Sequence, residues 1–124
     1  MKKLTVILCA LVAVFCLASC NSTSTPTGVV KAYHDALSSG KYKQAVTYTV
    51  LTDQEDIDGY AKKLQDCEYK VLKYEIVSET ISEDGESAVV EVKRTTSSTF
   101  NKEPKETTDK VKLSKVDGKW KIKI

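Results

Sequence analysis

The 124-residue chain has little of what most enzyme sites are built from. His34 is its only histidine, so a cluster needing several imidazoles is excluded, and no Cys/His/carboxylate spacing resembles a zinc or calcium site. There is no glycine-rich phosphate loop and no Gly-x-Ser-x-Gly elbow, and no cofactor is implied. A surplus of positive charge is missing too. The chain holds 19 basic and 17 acidic side chains, but two of the basic ones are Lys2 and Lys3, and from residue 20 onward there are 17 of each. No basic surplus is therefore expected to attract phosphate backbones or anionic lipid headgroups, and nucleic-acid binding lacks its electrostatic footprint. Cysteine is scarce where a fold would use it: Cys9, Cys16 and Cys20 precede the polar part of the chain, and only Cys67 lies within it.

The N-terminus is informative. Lys2 and Lys3 precede an apolar run from Leu4 to Leu17, broken only by Thr5. That run is shorter than the about 20 residues a spanning helix needs and reads as the core of an export signal. It ends in Leu17-Ala18-Ser19-Cys20, which resembles the lipobox of bacterial lipoproteins. The resemblance implies cleavage before Cys20 and acylation of its thiol; an ordinary signal peptide with a chance cysteine, or an uncleaved anchor, is the alternative. Attachment to a membrane then comes from acyl chains, at about 0.8 kcal/mol per buried methylene. Residues 1–19 are the expected signal peptide, residues 20–25 the lipidated cysteine and a polar tether, and residues 26–124 one domain. No acidic run follows Cys20, which favours an outer-membrane position facing the periplasm. Cys67 is left without an intramolecular partner, and is expected to be a small buried hydrophobe on a helix rather than a reactive thiol.

Thr25-Pro26 opens a helix with a hydroxyl cap and a proline at the first helical position. Val29, Val30, Tyr33, Ala36 and Leu37 recur on one face of it, and Gly40 closes it. A shorter helix is expected over Tyr42 to Val50. A third follows Asp53, with Ile57, Tyr60, Ala61, Leu64 and Cys67 as its apolar stripe. After Glu68 the period becomes two, and four strands are expected: Tyr69–Ile81, Ser87–Thr99, Thr107–Lys115 and Lys119–Ile124. A three-residue Glu83-Asp84-Gly85 loop places Ile76 opposite Val92 and Leu72 opposite Thr96, keeping both apolar rows on one face. A two-residue Asp117-Gly118 turn pairs Leu113 with Ile122 and Val111 with Ile124. The expected fold class is α+β: three N-terminal helices packed on a curved antiparallel four-stranded meander.

Two stretches carry a family resemblance. Thr25-Pro26-Thr27-Gly28-Val29-Val30-Lys31-Ala32-Tyr33, with Gly40-Lys41-Tyr42-Lys43-Gln44-Ala45, is similar to the opening of nuclear-transport-factor-2-like domains. Val116-Asp117-Gly118-Lys119-Trp120-Lys121-Ile122 resembles their closing hairpin. Within that group the chain looks most like bacterial lipoprotein domains of unknown function described as lumazine-binding-like. The resemblance implies a cone in which the sheet wraps the first helix and leaves a cavity at its open end. It does not imply one activity, because this fold hosts enzymes, binders and assembly modules.

Candidate site residues follow from the faces. Tyr74 and Arg94 meet on the inward side of the sheet, Thr96 continues their row, and Tyr33 and His34 lie on or beside the first helix's apolar stripe. Arg94 is the only arginine, and no acid occupies its row, so tyrosine stacking, cavity water or an anionic ligand is expected to satisfy it. His34 is a general base if it lies in a pocket and a helix-surface or rim residue otherwise. Two functions stay open: a non-catalytic module for a small apolar or anionic ligand or an envelope protein, and a small isomerase- or dehydratase-type enzyme working in the cavity. A structural part in envelope assembly is the third.

Overall fold

The computed structural model describes residues 23–124; the expected export signal, the expected lipobox and Cys20 lie outside them. Helix α1 (Pro26–Ser38) begins as its sequence dictates: the Thr25 hydroxyl accepts the Gly28 N–H at 3.0 Å, and Pro26 occupies a position that needs no N–H. It ends in a Schellman motif, with Lys41 N–H to Ala36 O at 2.8 Å, Gly40 N–H to Leu37 O at 3.3 Å, and Gly40 at φ 73°. Helix α2 covers only Tyr42–Val46, shorter than expected. The Thr47 and Thr49 hydroxyls turn back onto the Gln44 and Val46 carbonyls, and the chain leaves the helix there. It then runs alongside the last strand, with Ile122 N–H to Tyr48 O and Val50 N–H to Ile122 O. Helix α3 (Gln54–Asp66) is capped by the Asp53 carboxylate. Its expected stripe is only half-buried; Ala61 alone is buried.

The sheet is an antiparallel meander in the order β1 (Lys70–Ile81), β2 (Ser87–Ser97), β3 (Lys105–Val116), β4 (Lys119–Ile122). Ile76 does pair with Val92 and Tyr74 with Arg94. The path to that register differs from the expected one. Ser82 N–H bonds Ser87 O, so the connecting loop has four residues, one more than the three foreseen, and Gly85 sits in it at φ 72°. A bulge at Val77 restores the register, and a second at Leu72 shifts it again, so that Val71 rather than Leu72 opposes Thr96. Leu72 is consequently 53% exposed, while Val71 is in the core. The same Val77 bulge turns Glu79 inward. The last hairpin is the expected two-residue type I′ turn, with Asp117 at φ 52° and Gly118 at φ 77° and Leu113 opposite Ile122. Ile124, expected to pack opposite Val111, lies past the end of β4 and is 54% exposed.

The core lies between α1 and the inward sheet face. Val29, Val30, Tyr33, Ala36 and Leu37 meet Val71, Val90, Val92, Leu113, Trp120 and Ile122 there.

Candidate functional site

One polar chain crosses this apolar core. His34 is fully buried, not at a surface or rim. Its Nδ1 lies 2.7 Å from the Val30 carbonyl oxygen, an acceptor only, so the proton is on Nδ1 and the ring is neutral. Nε2 therefore carries a lone pair, and the Arg94 Nη1–H donates to it at 3.0 Å. The Arg94 Nε–H donates to Asp109 Oδ2 at 3.0 Å, and the Thr107 hydroxyl donates to the same oxygen at 2.7 Å. The expectation that Arg94 has no carboxylate is thus corrected. Its partner comes from β3, where Thr107 pairs with Arg94 and Asp109 lies two residues on, on the same face.

The protonation states follow from these neighbours. Burial, reinforced by the adjacent guanidinium, holds the His34 imidazolium pKa down to about 4. The Thr107 hydroxyl, then Arg94, holds Asp109 below the usual carboxylate range. Tyr33 and Tyr74 flank the imidazole, with ring centroids 5.5 and 5.2 Å away. Burial raises the pKa of both phenols, aided at Tyr33 by Tyr60 and Tyr69 and at Tyr74 by its 2.7 Å hydrogen bond to Asp35. Tyr33, His34, Tyr74 and Arg94 are thereby brought together. Thr96 lies farther along the strand, beside Tyr69.

A second buried polar pair escaped the reading of the sequence. Glu79 accepts from the Thr27 amide at 3.1 Å and from the Thr27 hydroxyl, closing the N-terminal turn of α1 with a carboxylate, where the helix dipole favours negative charge. Only knowledge of the Val77 bulge would have turned Glu79 inward. Among the described residues, no group of three His, Cys, Asp or Glu is placed to hold a metal ion.

The open surface near this network is a groove of about 660 Å³ between the end of α3 and the β2–β3 connection. Tyr60, Leu64, Cys67 and Phe100 line it, with Lys63 and Thr99 at its sides. Thr99 N–H to Cys67 O, 2.8 Å, ties the two walls together. Cys67, expected to be buried, is only half-buried at the cap of α3, its Sγ 3.5 Å from the Leu64 carbonyl oxygen. Tyr60 joins the groove to the polar network through its contact with Tyr33.

Helices on one face of a four-stranded antiparallel meander make an α+β fold, one that nuclear-transport-factor-2-like and cystatin-like domains share. Solved structures agree. A SEC-C motif containing protein of Rhodopseudomonas palustris aligns with a TM-score of 0.61 at 16% identity, over 83% of this chain and 78% of its own. A Campylobacter jejuni protein carrying an NTF2-like transpeptidase description aligns at 0.51 and 21% identity, over 81% and 98% of the two chains. A Nostoc punctiforme protein of unknown function with a cystatin-like fold aligns at 0.51 and 12% identity, over 77% and 81%. At these identities the likeness is one of fold. The chain itself belongs to the family described as a domain of unknown function, DUF4878, whose model matches residues 18–123. No curated protein matches it significantly.

Proposed function

We propose that the chain is an envelope lipoprotein, held through acylated Cys20 on the periplasmic side of the outer membrane, whose domain binds a small apolar ligand without transforming it. The observation that carries the binding reading is the groove of Tyr60, Leu64, Cys67 and Phe100, in which the Phe100 ring is 83% exposed. Its volume is within the about 300–1,000 Å³ usual for small-molecule sites. Half-buried Tyr60, Leu64 and Cys67 and exposed Phe100 line one groove, and apolar surface gathered in this way marks a binding site more often than scattered residues do.

The same geometry speaks against catalysis by His34. Its Nδ1–H is spent on Val30 and its Nε2 lone pair on Arg94, so no basic nitrogen faces a substrate. Arg94 spends its Nε–H on Asp109 and one Nη1–H on His34, so its charge already has a carboxylate partner.

The test is native mass spectrometry of the full-length lipoprotein released from detergent, comparing wild type with Phe100→Asp. An adduct of small mass on wild type, lost from a variant with an unchanged melting curve, is the expected result. An adduct equally retained by Phe100→Asp would place the ligand elsewhere. A wild type that carries no adduct and pulls down an envelope protein through Phe100 would replace the small ligand with a protein partner.

A further inference from the structure

We propose that the β4 flank of the domain is a basic surface that lies on the anionic headgroups of the membrane carrying the chain; this rests on acylation of Cys20, as proposed above. Overall neutrality hides a strong polarity. Residues 75–91 contain six carboxylates and no lysine or arginine, whereas residues 110–124 contain six lysines and a single acid, Asp117.

The fold concentrates that charge. Trp120 and Ile122 point into the core, so Lys119, Lys121 and Lys123, alternating with them, project from the other face. Lys112 stands directly across from Lys123, whose N–H bonds the Lys112 carbonyl at 2.8 Å. Like charges facing each other across a strand pair repel. Lys112, Lys119 and Lys123 form no salt bridge among the described residues, and the strand neighbour of Lys112 on its other side is Val89. An anionic surface laid over the flank relieves the repulsion.

The tether arrives at the same place. Thr23 and Ser24 line one groove together with Lys115, Lys119 and Lys121. Three peptide steps separate Cys20 from Thr23, a reach of at most about 11 Å. That is close to the screening length of about 8–10 Å at physiological salt, so acyl chains seated in a bilayer hold these lysines where headgroup charge is still felt. The acidic β1–β2 hairpin lies at the same end of the sheet, its Glu86 carbonyl accepting the Lys115 N–H at 2.9 Å. The domain therefore meets the surface along β4 and not end-on.

The experiment reconstitutes the full-length lipoprotein in vesicles of phosphatidylcholine alone and of an equimolar mixture with phosphatidylglycerol, and maps lysine acetylation by mass spectrometry. Labelling of Lys119 and Lys123 should fall severalfold in the anionic vesicles, with Lys62 and Lys63 on α3 as unchanged references. Raising salt to about 1 M, where screening sets in within about 3 Å, should restore it. A variant carrying Lys119→Glu and Lys123→Glu should still float with either vesicle, and Lys112 should then lose its protection. Equal labelling of the flank in both vesicles overturns the proposal, as does protection in both, which would put a second copy of the chain on that face. Failure to float with neutral vesicles removes the anchor itself, a separate result that overturns both readings.

Discussion

His34 is an ionisable side chain with no solvent on it, and its state is dictated by two groups that cannot change. The Val30 carbonyl only accepts and the Arg94 guanidinium only donates, so a second proton on the ring would have to displace Arg94 from Nε2. Unfolded, the imidazole takes a proton near pH 6.5; folded, only near pH 4. Between those values the unfolded chain binds the extra proton. The contribution is therefore complete above pH 6.5 and is lost as pH falls toward 4, by up to about 3 kcal/mol. Urea melts across that window should show this decline in wild type and a flatter profile in His34→Gln. Asp109 acts later: its lowered pKa gives stability that disappears only as pH falls below the ordinary carboxylate value of 3.8. Arg94→Ala leaves a buried imidazole lone pair without its donor and Asp109 without its cation, at about 1–3 kcal/mol, because the pair is partly open to water. A melting temperature unchanged by that substitution would mean that the guanidinium is held by solvent alone. The expected three-residue loop and the actual four-residue loop with its Val77 bulge lead to the same Tyr74–Arg94 pair, so the apolar rows give the pairing but not the path to it. The sequence does not show Asp109, because a seven-residue connection from Ser98 to Pro104 leaves the β2–β3 register open, and with it the acid that completes the network.

Strands and helices were legible wherever a terminus was chemically marked. Thr25-Pro26, Gly40, Asp53 and Asp117-Gly118 each begin or end an element as their chemistry requires. What periodicity could not reveal is a residue that drops out of the ladder. The bulges at Leu72 and Val77 each exchange the two faces of β1, which is how Leu72 reaches solvent and Glu79 reaches the cap of α1. The end of α2 was hidden for another reason: Thr47 and Thr49 trade helix for local hydroxyl bonds, and the freed backbone covers the outer edge of β4. β4, an end strand of four residues, thereby gains backbone partners on its outer side as well as from β3. Ile122 sits at the junction, buried against α1 and bonded through its backbone to Tyr48 and Val50. Ile122→Ala should cost about 2–5 kcal/mol in a thermal or urea melt. Gly118→Val places a β-branched side chain at positive φ and should cost more than about 1 kcal/mol. Near-wild-type melting of both would show that the hairpin does not bear on the core.

At the scale of the whole molecule, an ordinary core and the covalent anchor proposed above would have separate tasks. Cys67 is the one cysteine among the described residues, so no disulfide forms among them, and Thr25 and Glu79 satisfy the start of α1 from within residues 23–124. Folding and membrane attachment should therefore come apart cleanly. In the reading proposed here, attachment depends on lipid-modified Cys20 and on acyl chains each contributing about 0.8 kcal/mol per buried methylene, enough for stable anchoring once more than one chain is present. Cys20→Ala removes the nucleophile that receives the lipid while leaving every contact among residues 23–124 in place. The variant should take up no fatty-acid probe in growing cells and should keep an uncleaved signal sequence, visible as a larger band. Signal-free domains with and without the substitution should melt at the same temperature. Fatty-acid labelling that persisted in Cys20→Ala would move the acyl chain to another residue and sink the lipobox reading. A lowered melting temperature would show instead that residue 20 belongs to the fold.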